Sequence, residues 1–187
     1  MMPALDPVLP VTLRVTLSVL LLWAAGHKLR DVAGFREAVA GYRLLPSLLI
    51  SPAAVLLIAA ELGIAAGLCL PRFGSAGALV AAALLSLYGG AILVNLARGR
   101  RDIDCGCLGA AGRQPLSAGL VVRNGVLVAA ALASALPMTG RPLAWIGGLT
   151  VFASVAALLL LYAAVDGLLA HAPRLAALRR GGEVAHA

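Results

Sequence analysis

Two cysteines separated by one glycine, Cys105-Gly106-Cys107, are the most reactive pair of side chains in the chain. They lie in the run Asp104-Cys105-Gly106-Cys107-Leu108-Gly109, a polar break in an otherwise strongly apolar sequence. A Cys-x-Cys pair can close on itself into a small, strained ring, and Gly106 relaxes the backbone demand of that closure. Strained, accessible disulfides are the oxidising, exchange-prone ones, so such a pair can take electrons from a substrate dithiol through a mixed disulfide. Arg98, Arg100 and Arg101 crowd its upstream side. Cationic neighbours raise the thiolate fraction, and thiolate is the reactive form. Asp102 and Asp104 act in the opposite sense unless they pair with those arginines. Two bland alternatives stand beside this reading: an inert structural pair, or a metal site. A structural zinc site needs four ligands, and only His27, Asp102 and Asp104 offer themselves to complete one, so no metal is assigned. The third cysteine, Cys69, reads as a small packing residue.

The elements that position the pair follow from composition. Of the 187 residues, 61% are hydrophobic and only 12% charged. A soluble domain carries about 25% charged residues, so this chain lacks the polar surface to cover a water-facing globule. Its apolar runs approach the ~20 residues that span a bilayer core. Backbone groups in lipid must be satisfied within the segment, which makes the spans helices. The net charge of +7 sits mostly in connections between spans, where Lys and Arg meet lipid headgroups. Aromatics are few and no nucleic-acid module is recognisable, so the expected partners are the lipid bilayer and a client or redox-partner protein, with no nucleic acid.

Taken in order, residues 1–10 read as an irregular, proline-rich tail. The first span covers Val11 to Gly26, with Arg14 snorkelling; a cleavable signal ending at Ala24-Ala25-Gly26 is the weaker reading. His27 to Leu45 is a polar connection in which Val32, Phe35, Val39 and Tyr42 recur at helical spacing. That describes an amphipathic helix along the membrane surface, ended by Leu44-Leu45-Pro46. Ser51-Pro52 marks the start of the second span, which contains Glu61 and a Gly63/Gly67 pair. An intramembrane carboxylate is a functional-site candidate in search of a partner. The third span, Phe73 to Ala97, carries Ser86, Tyr88 and Asn95, with Asn95 set to hydrogen-bond a neighbouring helix. The cysteine-bearing connection follows. The fourth span, Leu116 to Leu136, is interrupted by Arg123-Asn124, and the fifth, Leu143 to Ala164, fades near Asp166-Gly167. The expectation is an all-α integral membrane bundle: a four-helix core, a fifth transmembrane helix and one interfacial helix. Its domain covers residues 11–165, followed by a basic tail over 166–187.

Odd-numbered spans exit on one face, which places Lys28, Arg36 and Arg43 on the side of Cys105 and Cys107. Cys69 then lies about a bilayer thickness, ~30 Å, away. From the cysteine side, Glu61 lies about 14 Å and Arg123 about 10 Å into their helices. The spacing therefore allows a Glu61–Arg123 ion pair inside the bundle, the alternative being that Arg123 snorkels to the headgroups, with Lys28, Arg98 and Arg101 placed to tune the thiolates.

Gly26-His27-Lys28-Leu29, Phe35, Tyr42-Arg43-Leu44-Leu45-Pro46, Glu61, Asn95-Leu96-Ala97-Arg98-Gly99, Asp102-Ile103-Asp104-Cys105-Gly106-Cys107-Leu108-Gly109 and Arg123-Asn124 form a series. Together they resemble the methylamine-utilisation MauE family, within the DoxX-like membrane proteins, over about residues 10–165. The resemblance implies an integral membrane protein associated with amine metabolism, in the inner membrane if bacterial. The founding member is tied to maturation of methylamine dehydrogenase, whose small subunit is rich in disulfides. Thiol/disulfide exchange on an exported client is the role this implies for Cys105 and Cys107. DoxX relatives imply a second role, electron transfer to quinone, which needs a lipid-accessible pocket near Glu61, Tyr88 and Arg123. A non-enzymatic export or assembly factor, or a small transporter, is the third. Orientation divides the readings. Counting Lys and Arg puts the cysteine face in the cytoplasm, whereas disulfide chemistry on an exported client puts it outside.

Overall fold

In the computed structural model the chain is a bundle of six helices, described over residues 5–105, 114–139, 141 and 144–184, with side chains to residue 171. The helices are α1 (Val8–Arg30), α2 (Val32–Gly41), α3 (Ser47–Cys69), α4 (Gly74–Ala97), α5 (Ala118–Ala135) and α6 (Trp145–Val184). Five of them, all but α2, are long and apolar enough to cross a membrane. No β-strand occurs among the described residues; two isolated bridges join Leu5 to Met138 and Asp104 to Pro115.

The burial pattern is that of a protein dissolved in lipid. Leu56, Leu79, Leu87, Val122, Phe152 and Leu160 are exposed, while Glu61, Asn95 and Ser134 are wholly buried. Apolar side chains gain nothing by hiding from hydrocarbon, whereas polar groups must find partners inside the bundle. α1 is central and touches α2, α3, α5 and α6; α4 packs on α3 and α5. The main core joins Leu17, Leu21, Ile64, Leu68, Ala81 and Leu85. Small residues set the spacing there. A Cβ at Gly77 would come within 3.1 Å of the backbone of Gly67 and Leu68, so α3 and α4 approach backbone to backbone.

Several boundaries differ from the sequence expectation. α1 runs on to Arg30, so Lys28 belongs to a transmembrane helix and is buried. α2 starts only at Val32, where the carboxylate of Asp31 accepts from the Gly34 amide at 2.8 Å and supplies the N-cap. α3 begins at Ser47 after Pro46, so Pro52 lies inside it rather than at its first turn. α6 does not fade at Asp166-Gly167 but continues to Val184. Arg14 does not snorkel. Its guanidinium is buried and donates twice to the Ser134 carbonyl, at 2.8 and 3.0 Å, and to Ser75 Oγ at 2.9 Å, tying α1, α4 and α5 together at the end remote from Cys105.

Candidate functional site

The segment carrying Cys105 is held by its flanks. α4 closes with Arg98 as C-cap and Gly99 at φ 74°. The Arg100 amide reaches back to the Asn95 carbonyl and the Gly99 amide to that of Leu96, each at 3.0 Å. This paired closure needs a residue at positive φ, which glycine supplies without steric cost. The Arg100 guanidinium then donates to Asn95 Oδ1 at 3.2 Å and to the Gly41 carbonyl at 3.0 Å, joining the end of α4 to the end of α2. Beyond it the chain doubles back. The Cys105 amide donates to the Gln114 carbonyl at 3.0 Å, and the Leu116 amide to those of Arg101 and Ile103. Asp104 Oδ1 accepts from the Gln114 amide at 3.4 Å. Cys105 is thereby pressed into a buried cluster with Ile92, Leu116 and Leu120.

Arg123 is the cation at the Cys105 sulfur: its Nη2 lies 4.0 Å from Sγ. The same guanidinium is buried, paired with Asp166 of α6, and stands 5.7 Å from the Tyr162 ring centroid. The Tyr42 hydroxyl donates to the Cys105 carbonyl at 3.4 Å. Arg98 and Arg101 are exposed and take no part in these contacts, so among the described residues the guanidinium in place to favour a thiolate is that of Arg123. Gly106 and Cys107 lie outside the described residues.

The expected Glu61–Arg123 pair does not form. Glu61 pairs with Lys28, and Arg123 pairs with Asp166. Both errors have one origin. Lys28 was placed in a surface connection and Asp166 in a tail, so neither was available as an intramembrane partner. Glu61 is 0% exposed and Lys28 4%. The ammonium sits between two aromatic rings, 4.9 Å from the centroids of Phe35 and Tyr88, and the Tyr88 hydroxyl donates to Glu61 Oε1 at 2.8 Å. Glu61 Oε2 has no hydrogen-bond partner among the described residues. Asn95 and Asn124 are buried, and each donates within its own helix, to the Ala91 and Leu120 carbonyls, rather than to a neighbouring helix as expected of Asn95. Asn124 also marks a close helix contact, because a Cβ at Gly89 would lie 3.4 Å from its own.

Two cavities meet at Lys28. A polar vestibule of about 540 Å³ is lined by His27, Asp31, Glu37, Arg43, Arg100, Asp104 and their neighbours. A second cavity, about 330 Å³ and lined almost wholly by apolar side chains, lies between α2, α3 and α4. Lys28, Phe35 and Ala38 line both, and Cys105 lines the apolar one. Of the three residues around which a lipid-accessible pocket was expected, only Tyr88 lines this cavity; Glu61 and Arg123 do not. No cluster of three or more His, Cys, Asp or Glu fit to hold a metal occurs among the described residues. The His27 ring instead packs edge-on against Trp23 at 5.1 Å. Asp166 and Tyr162 are the neighbours of the site that sequence reasoning missed, and Arg100, expected to act on the thiolates, instead fastens α2 to α4. The signal for Asp166 was its helical continuity with the fifth span.

Comparison with known proteins agrees with this architecture. The family described as "Methylamine utilisation protein MauE" matches residues 6–137. A methylamine utilization protein MauE from Paracoccus denitrificans is 40% identical over 146 residues, covering 78% of this chain and 77% of that protein. One from Methylophilus methylotrophus is 39% identical over 167 residues, 86% of each. One from Methylorubrum extorquens is 43% identical over 126 residues, 67% of this chain and 68% of its own. No solved structure matches the chain. A five-span apolar bundle and this breadth of similarity lead to one statement: the chain is a multi-pass membrane protein that belongs to the MauE family.

Proposed function

We propose that this protein serves methylamine utilisation in the cell membrane as a thiol/disulfide exchange factor for an exported client protein. Cys105 is the attacking or attacked sulfur and Cys107 its partner. The observation that carries the reading is the Arg123 guanidinium 4.0 Å from Cys105 Sγ, at a cysteine that borders a cavity rather than plain packing. In this reading Arg123 favours the thiolate of Cys105. Asp166 orients that guanidinium and moderates its charge. The polar vestibule beside Asp104 admits the client's segment. Lys28 and Glu61 act as a structural pair close by, and Arg98 and Arg101 as a basic rim.

The test is differential alkylation of cells growing on methylamine, read by mass spectrometry with and without reductant. A fraction of Cys105 and Cys107 in disulfide form is expected, together with loss of growth on methylamine when both are serine. Two free thiols in cells, combined with normal growth of the double serine variant, sink the proposal. A non-enzymatic export or assembly role would then be preferred, provided that changes at Glu61 and Arg123 abolish growth.

A further inference from the structure

We propose that Arg14 and the first turn of α4 form a binding site for a phosphate-class anion, on the face of the bundle remote from Cys105. Among the described residues Arg14 is a buried cation without a counter-ion. It is 5% exposed, and the ion pairs among those residues are Lys28–Glu61, Arg123–Asp166 and Arg141–Asp6. A desolvated charge is costly unless it is paired. The Ser134 carbonyl and Ser75 Oγ take up its Nε and Nη2, but neither acceptor carries a charge. Nη1 has no hydrogen-bond partner among the described residues, and it does not belong to the fully sealed polar atoms of the bundle.

The guanidinium abuts the start of α4. A Cβ at Gly74 would lie 2.9 Å from Arg14 Cζ, so glycine is what leaves room for it there. This is the positive end of a helix dipole, equivalent to about +0.5 of a charge. The helix also lacks a side-chain cap, its N-cap being Phe73. The Gly77 amide reaches the Phe73 carbonyl, while those of Gly74, Ser75 and Ala76 make no backbone hydrogen bond among the described residues. A cation is thus held against open amides, an arrangement that repels itself until an anion enters. Ser75 and Ala76 are exposed, so the site opens outward. The Ser75 hydroxyl accepts from Arg14 and keeps its own proton to donate. A phosphate group suits such a set of donors: its several oxygens meet them from different directions, and helix N-termini hold such groups through backbone amides. Arg72, exposed on the turn before α4 with its guanidinium 5.8 Å from the Phe73 ring centroid, adds positive charge at the rim. Gly74 opens α4 and Ser134 lies next to the end of α5, so the site stands where helices leave the hydrocarbon. Leu70 and Phe73 are half exposed on the same turn and offer apolar surface to acyl chains. The phosphate can therefore come from a phospholipid headgroup or from the free ion.

The test uses the full chain in dodecyl maltoside, a detergent without phosphate. Thermal unfolding is followed with phosphatidylglycerol and with inorganic phosphate, and with diacylglycerol and chloride as phosphate-free controls. At a hundredfold excess over its dissociation constant the ligand should raise the melting temperature by about 5–10 °C. A rise with phosphatidylglycerol but not inorganic phosphate assigns the headgroup; a rise with inorganic phosphate assigns the free ion. Arg14→Gln should lose the response. Because that variant can also fail to fold, Ser75→Asp provides the second arm: it sets a carboxylate beside the guanidinium and at a helix N-terminus, where an acid stabilises. It should melt above the wild type in the bare micelle and no longer respond to either phosphate. No rise with either phosphate, equal rises with diacylglycerol or chloride, or an undiminished response of Ser75→Asp each overturns the proposal.

Discussion

Replacing Lys28 by methionine strands a carboxylate inside the bundle. Glu61 is wholly buried and loses its ion-pair partner, while the Tyr88 hydroxyl remains on Oε1. Breaking a buried pair by removing one partner costs about 3–5 kcal/mol. The attraction between the ammonium and the two flanking rings adds up to about 2 kcal/mol in a desolvated setting. The reverse change, Glu61→Leu, leaves the buried ammonium with those rings and no counter-charge, and should cost about the same 3–5 kcal/mol. Removing both charges is different in kind. Lys28→Met with Glu61→Leu replaces a desolvated pair by apolar volume, a change that is often neutral or stabilising. The double variant should therefore lie within about 1 kcal/mol of the wild type. The two single changes, added together, predict a loss of about 6–10 kcal/mol. Equilibrium unfolding in detergent micelles, run as a double-mutant cycle, measures the difference. A double variant as unstable as the sum of the singles would refute the argument, because it would mean that the two residues are stabilised by separate partners.

Four further outcomes follow from the geometry. Asp166→Asn removes the carboxylate that offsets Arg123, so Cys105 should react faster with iodoacetamide, and Arg123→Gln should slow it; stopped-time alkylation of a chain lacking Cys69 and Cys107 reads both signs. Gly77→Ala should cost about 1–3 kcal/mol, since the added methyl meets helix backbone rather than a movable side chain; the unfolding midpoint in the same micelles checks it. Arg14→Leu removes three hydrogen bonds that join α1, α4 and α5 and should lower the melting temperature without changing alkylation of Cys105. A membrane-impermeant maleimide on intact cells should label Cys69 or Cys105 but not both, as the two lie at opposite ends of the bundle; labelling of Cys105 from outside is what the exchange reading requires.

The helices were legible because membrane burial is written in composition: five long apolar runs have no alternative fold in lipid. The shared face of the first and third connections was legible too, since alternation of direction brings it about. The ion pairs were not. Pairing depends on where each helix begins, and an error of a few residues moves a side chain by most of a turn. Asp31 capping α2 is the example. It starts the surface helix only at Val32 and leaves Lys28 to α1, where it lies level with Glu61. Asp166 was lost in the same way when α6 was cut short. Arginine count was a poor guide near the cysteines for a related reason. Arg100 fastens α2 to α4, whereas Arg98 and Arg101, no less basic, remain at the surface.

The spans also differ in length, and this gives the bundle an uneven hydrophobic thickness. At about 1.5 Å per residue, the 18 residues of α5 reach about 27 Å, short of the ~30 Å hydrocarbon core. The 24 residues of α4 reach about 36 Å by the same rise. Lipid beside α5 must thin and lipid beside α4 must thicken or let the helix tilt, each at a fraction of a kcal/mol per Å. Because α4 and α5 pack directly against each other, this step in hydrophobic thickness falls between two adjacent helices, and the surrounding bilayer meets it over a short stretch of the bundle's perimeter.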